Sequence, residues 1–232
     1  MNSKIIILGV VMVVVLYFLY KFLLGKKTAT ITNLRYDKPL DPFTYSSLTI
    51  PNSTRYSYYT WVYVNTIETT SENIFKVTDQ DKDKKPITLF SLDIINTTDL
   101  QVSVLTQPSN TTTNIISNNF PIQKWQQVII SFDNTYMDVY INGKFVKSVT
   151  FNNTSLPVQT TSDSVINFGV STKVLPDISI RQFERLDYPM DPQTAWNKYK
   201  TDLNFNNSTS VNYGLNLNIS SNNKIGQSIP IF

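Results

Sequence analysis

The chain opens on one long apolar run. From Ile5 to Leu24 it reads IIILGVVMVVVLYFLYKFLL, and the one charge is Lys21, near the far end. A helix through this run has no polar face, unlike an amphipathic core helix. Twenty residues at about 1.5 Å each span about 30 Å, the apolar thickness of a bilayer. Ile5, Val10, Val14 and Leu24 fall in the span, and Tyr17 and Tyr20 sit where interfacial aromatics gather. The stem of Lys21 is long enough to reach the headgroups. The run exceeds the apolar core of a signal peptide and passes into Gly25-Lys26-Lys27 without a small-residue cleavage pattern. Residues 1–27 are therefore expected to be a retained transmembrane anchor. Lys4 precedes the run, whereas Lys21, Lys26, Lys27 and Arg35 lie within or after it. The positive-inside rule then places the rest of the chain on the cytosolic side.

Beyond a linker over 28–50 the pattern changes to short runs of Val, Ile, Thr, Tyr and Phe separated by Asn, Thr, Ser, Asp and Pro. The runs predict strands at 56–64, 74–77, 87–94, 100–105, 125–132, 137–141, 144–151, 165–170 and 178–183. Their spacing of about ten residues is that of an all-β sandwich or barrel. Trp125 opens an alternating run in which Val128, Ile130 and Phe132 share one face and Gln127, Ile129 and Ser131 the other. Asn142-Gly143 predicts a two-residue hairpin turn, because both positions need positive φ. Reflection about that turn pairs Ile141 with Lys144, Tyr140 with Phe145, Val139 with Val146 and Asp138 with Lys147. Asp191 followed by Pro192 reads as a helix N-cap and first helical residue, starting a helix of two to three turns with Trp196 and Tyr199 on one side. The domain plan is a sandwich over 51–202 and an extension over 203–232 packed on it, with a last hairpin about Asn222-Asn223.

Composition narrows the chemistry. Among 232 residues there is no Cys and no His, and Glu occurs only at Glu68, Glu72 and Glu184. Without Cys or His there is no disulfide, no Ser-His triad and no zinc site of the usual kind. Net charge is +3 and scattered, so no nucleic acid partner is expected. The carboxylates Asp79, Asp81 and Asp83 have alternate spacing, but the loop lacks the glycine and the closing glutamate of a calcium loop, so it reads as a solvated hairpin tip. The three glutamates read as solvated surface charges, and the aromatics of 55–64 as packing rather than a sugar platform. No cofactor, metal or catalytic residue is expected.

The segment FPIQKWQQVIISFDNTYMDVYINGKFVKSVTF, with Trp125, Val128, Asp133, Met137 and the run Val139–Lys144, resembles the central meander of concanavalin A-like (laminin-G-like) lectin/glucanase domains. ISIRQFERLDYPMDPQTAWNKYK resembles their closing strand and short helix through Ile180, Phe183, Asp191, Pro192, Ala195 and Tyr199, with Met190 where leucine is usual. The resemblance covers roughly 57–200. It implies a jelly-roll antiparallel β-sandwich preceded by the membrane helix and followed by one short helix. The glucanases of that family carry E-x-D-x-E on a strand, which this chain lacks, so the expectation is a protein that is not an enzyme.

The whole layout is also similar to virion membrane proteins of large nucleocytoplasmic DNA viruses. That similarity implies a minor capsid protein joining an inner membrane to the capsid shell, with the lipid bilayer and capsid subunits as partners. The alternative is a membrane-anchored carbohydrate-binding lectin for host attachment. It requires the opposite orientation, in which sequons such as those at Asn52, Asn96, Asn110 and Asn152 would be used.

Overall fold

The computed structural model describes residues 11–17, 29–31, 42–65, 71–81, 83–107, 109–169, 178–207, 216–221 and 224–230. At 29–31, 204–207, 216–221 and 224–230 only the backbone is described. Strands are numbered in chain order. One six-stranded antiparallel sheet runs β1 (Ala29–Ile31), β12 (Ile178–Leu186), β3 (Arg55–Val64), β8 (Trp125–Asp133), β9 (Tyr136–Ile141), β10 (Lys144–Thr150). The other runs β2 (Phe43–Thr44), β11 (Val165–Phe168), β4 (Ser71–Gln80), β5 (Pro86–Ile95), β6 (Asp99–Thr106), β7 (Asn110–Ser117). β13 (Asn216–Ser221) and β14 (Lys224–Pro230) pair with each other, as the alternating tail predicts.

The two large sheets close on an aromatic core. Tyr58 lies 5.3 Å from both Phe75 and Phe90, and Phe183 lies 5.0 Å from both Phe75 and Phe168, ring centre to ring centre. Each such pair adds about 0.5–1.5 kcal/mol beyond the area it buries. Val128, Ile130 and Phe132 enter this core, as their alternation predicts. Tyr56, Tyr58, Tyr59 and Trp61 are all buried, so these aromatics of 55–64 are packing residues.

Of the expected anchor, Val14 and Tyr17 lie in an exposed helical stretch over 11–17, and Ile5, Val10, Tyr20 and Leu24 lie outside the described residues. Among the described residues no helix is long and apolar enough to cross a membrane. The segment 28–50, expected as a linker, contributes β1 and β2, and its Tyr45 and Leu48 are core residues.

Arg185 is wholly buried. Its guanidinium lies over the rings of Tyr45 and Tyr56 at 5.2 and 4.8 Å and meets Asp187 at 2.5 Å. The Tyr45 and Tyr58 hydroxyls bond to each other. Burial opposes the arginine charge, but the facing oxygens of Tyr58, Tyr45 and Asp187 outweigh it and hold the group above its ordinary value. Burial pushes the phenols of Tyr45, Tyr56 and Tyr58 well up, so they stay neutral.

Two β-bulges of the first sheet depart from simple alternation. In β10 the register moves between Phe145 and Lys147, so Val146 is the extra residue. The expected pairs Val139 with Val146 and Asp138 with Lys147 are therefore replaced by Val139 with Lys147 and Asp138 with Ser148. Ser148 Oγ donates to Asp138 at 2.5 Å, and Lys147 Nζ donates instead to the Ile115 carbonyl on β7 at 2.7 Å. In β12 an extra residue falls between Arg181 and Glu184, with Gln182 at φ 57°. That bulge reverses the alternation, so Phe183 and Arg185 point inward while Arg181 stays on the outer face.

The helix Pro192–Asn207 is longer than the two to three turns expected, since no Gly or Pro interrupts it. Asp191 caps it: Oδ1 accepts from the Gln193 and Thr194 amides at 2.9 and 3.0 Å, and Oδ2 from Thr194 Oγ1 at 2.6 Å. These bonds, the Thr194 side chain's first, lower the Asp191 pKa. The helix covers the outer face of the first sheet, where Ala195 and Met190 close over Tyr59, Trp61, Ile129, Tyr140 and Leu186. The expected exposed Glu184 is instead paired with Lys198 of the helix at 3.1 Å, both half-buried.

Asn142 and Gly143 adopt φ 52° and 70°, the turn their sequence predicts. Gly143 also lies beneath the helix: a Cβ there would stand 2.9 Å from Tyr199 Cβ and 3.0 Å from Trp196 Cα. Gly143→Ala is expected to cost about 2–4 kcal/mol, the left-handed backbone and the displaced helix acting together. Urea unfolding measures this, and an unchanged midpoint would mean the helix does not rest on the turn.

Asp202 fastens the far part of the helix. It is buried and accepts from the Tyr59 hydroxyl and, at 3.3 Å, from Trp61 Nε1. Burial nevertheless raises its pKa to about 6, against about 3.9 in an unfolded chain. A carboxyl raised on folding contributes stability that is complete below about pH 4 and lost as the pH rises through about 6. Asp202→Asn is expected to remove that slope and to raise the melting temperature at pH 8 by a few degrees. Thermal melts between pH 4.5 and 8 decide it, and an identical slope in the variant would clear Asp202 of the effect.

Candidate functional site

The hairpin turn that supports the helix also builds a groove. Asn142 ties the turn to β8: its amide donates to the Gln127 carbonyl at 2.9 Å, its Oδ1 accepts from the Gln127 amide at 2.9 Å, and its Nδ2 donates to Gln126 Oε1 at 2.6 Å. Phe145 and Val146 of β10, Trp196 and Tyr199 of the helix, and Ser117 and Pro121 line the groove. The result is an open groove of about 610 Å³. Phe145 is 53 % exposed and Trp196 36 %. Lys144, beside them, is exposed, and Lys200 Nζ stands 5.7 Å over the Trp196 ring.

The aromatic wall continues under the helix as a ladder. Trp196 is 5.7 Å from Tyr199, which stacks on Trp61 at 5.9 Å. The Arg181 guanidinium lies 5.3 Å from the Trp61 ring and 4.7 Å from that of Trp125, and Trp125 is 5.5 Å from Tyr63. Partial burial lowers the Arg181 pKa. Tyr140 donates to the Met190 carbonyl at 3.1 Å, and Ser131 Oγ accepts from the Met190 amide at 2.8 Å, fixing the approach to the helix. Burial first, then the charges of Asp138 and Asp191, push the Tyr140 phenol up to about 12, so it remains a donor.

A smaller pocket of about 100 Å³, lined by Tyr56, Phe132, Asn134 and Leu156, has room for a few waters but not for a sugar ring or a partner's side-chain cluster. The groove is the better candidate because it sets exposed aromatic surface beside a few polar groups.

The residues singled out in the sequence fall as follows. Asn142 lines the groove and Gly143 lies beneath the helix beside it, Asp191 and Pro192 start that helix, and Trp125 belongs to the ladder between Arg181 and Tyr63. The acidic run does not converge: Asp81 Oδ1 accepts from the amides of Asp83 and Lys85, both at 2.8 Å, while Asp79 Oδ2 accepts from Thr161 Oγ1 and Ser164 Oγ at 2.8 and 2.5 Å. Among the described residues no group of three or more acidic side chains could hold a metal ion. Sequence reasoning missed Arg181 and the exposure of Phe145. Arg181 lies ahead of the bulge at Gln182 and Phe145 ahead of that at Val146, and what each meets comes from elements distant in sequence.

No curated protein matches the chain in sequence. Solved structures match in fold. The ligand-binding domain of botulinum neurotoxin serotype D, crystallised with N-acetylneuraminic acid, has a TM-score of 0.54 at 15 % identity, covering 77 % of this chain and 47 % of that one. The binding domain of Paraclostridial mosquitocidal protein 1 has 0.52 at 12 %, covering 78 % and 44 %. The receptor-binding domain of botulinum neurotoxin type G has 0.50 at 15 %, covering 77 % and 47 %. The matched stretch is thus under half of each toxin domain. Residues 41–176, more than half of the chain, match the family model of the concanavalin A-like lectin/glucanases superfamily, and the chain belongs to that superfamily.

Proposed function

We propose that this chain is a membrane-anchored, non-enzymatic recognition module that grips a neighbouring protein subunit in the groove between the β9–β10 hairpin and the helix. The observation that carries the reading is the exposed apolar surface of Phe145, Val146 and Trp196 around an open groove. Contiguous apolar surface of this kind marks interaction sites. The anchor is the apolar run Ile5–Leu24, and Lys21, Lys26, Lys27 and Arg35 favour a cytosolic sandwich. In the virion of a large DNA virus that side faces the capsid shell, and the module would link shell to inner membrane.

A second reading, a lectin, is favoured by two observations. Among the similar structures are toxin ligand- and receptor-binding domains, one of them crystallised with N-acetylneuraminic acid. The groove also sets aromatic faces beside the amide of Gln126 and the ammonium of Lys144, which suits the C–H face and hydroxyl rim of a sugar.

Cross-linking of the membrane-embedded chain, with Phe145→Asp and Trp196→Ala as variants, tests the first reading. The wild type is expected to capture capsid subunits from particles, and each variant to lower the yield about tenfold, the loss of a well-buried aromatic anchor. Glycan-array binding that Trp196→Ala abolishes, together with a mobility shift on deglycosylation, would replace the assembly reading with the lectin one.

A further inference from the structure

Apart from the 11–17 helix, the exposed large apolar side chains gather at the two ends of the sandwich. Phe145, Val146 and Trp196 crowd the end of the Asn142-Gly143 turn. The opposite end carries Ile50, Tyr136 and Tyr188, which are 48, 52 and 39 % exposed. Pairing and hydrogen bonds bring those three together. Arg55 pairs with Asp133 and Asp133 with Tyr136 across the β8–β9 turn. The Tyr188 carbonyl accepts from Ser57 Oγ at 3.0 Å, and the Ile50 carbonyl from Arg185 Nη2 at 3.5 Å.

The first strand enters at this same end. Ala29 pairs with Arg185 and Ile31 with Phe183, so the first residue of β1 lies on the Tyr188 side of the strand. Between Leu24, the last residue of the apolar run, and Ala29 stand only Gly25, Lys26, Lys27 and Thr28. Five steps of extended chain reach at most about 18 Å. If the run is anchored, the sandwich has no room to stand far from the bilayer.

We propose that the end bearing Ile50, Tyr136 and Tyr188 rests on the bilayer surface, with these side chains in the headgroup layer and the groove turned away from the membrane. The proposal rests on the reading of residues 1–27 as an anchor. Tyrosine suits the position, since its ring is apolar and its hydroxyl polar, and isoleucine reaches the acyl boundary. Lys26 and Lys27 stand only three and two residues before Ala29 in the sequence, and their charges add attraction to anionic lipid. The nine residues of β8, at about 3.3 Å each, set the groove about 25 Å farther out. A partner therefore meets the groove without first displacing lipid.

The chain has no cysteine, so single labels are simple to place. The full chain is reconstituted in vesicles of phosphatidylcholine and phosphatidylserine, with a fluorophore on Tyr136→Cys, Ile50→Cys or Lys144→Cys and a nitroxide on the lipid headgroups. Quenching at 136 and 50 is expected to exceed that at 144 about threefold, as interfacial placement of one end requires. A second form of the Tyr136→Cys chain carries Ile50→Ser and Tyr188→Ser. It should still melt cooperatively, as a folded domain does, and lose most of its quenching.

Equal quenching at all three labels, or none in a chain that stays in the carbonate-resistant pellet, overturns the proposal and leaves the anchor standing. Full quenching in the doubly substituted form also overturns it, because those side chains would not be what holds the end down. Release of the chain by carbonate refutes the anchor, and the proposal with it.

Discussion

The first sheet has two apolar faces, and the rest of the fold depends on both being covered. One face, with Val128, Ile130 and Phe132, closes on the second sheet. The other presents Tyr59, Trp61, Ile129 and Tyr140, which a two-layer sandwich alone would leave in water. The helix Pro192–Asn207 supplies the third layer. Its seat is set by two small details: a turn residue without a side chain at Gly143, and a buried carboxylate at Asp202 that bonds to the very aromatics being covered. The groove is a by-product of that docking, since Trp196 of the helix and Phe145 of β10 both line it and both stay partly exposed.

Much of this was legible in the residues. Strand spacing, the Asn142-Gly143 turn, the Asp191 cap and the core face of β8 all rest on contacts close in sequence, and the local pattern carries them. What escaped depends on distant partners. β7 is a run of Asn and Thr that sends only Ile116 deep into the core, so its polarity hides a strand that sheet pairing nevertheless fixes. Arg185 looks like a surface charge until the bulge at Gln182 turns it inward among tyrosines contributed by Tyr45 and β3. The groove itself was half legible. Asn142, Gly143 and Trp196 each stood out, but about fifty residues separate turn from helix, and no local signal says that they meet.

The buried arginine also explains why an expected linker belongs to the core. A guanidinium without water needs oxygens and ring faces around it. Asp187 supplies the charge, while Tyr45, from the 28–50 segment, supplies a ring face and a hydroxyl bonded to Tyr58. The segment 28–50 is thereby held by a polar contact as well as by its strand pairings.

The extra residue at Val146 has a consequence for crowding. β10 and β7 are the outer strands of the two sheets on one side, and an outer strand ordinarily offers its free backbone to any similar strand nearby. Here β10 is kinked by the bulge, and Lys147 turns its ammonium toward the carbonyl of Ile115 on β7. A kinked strand carrying such a charge is a poor template for its own copy. Many of these domains held on one surface would remain separate units and would not zip into a fibre.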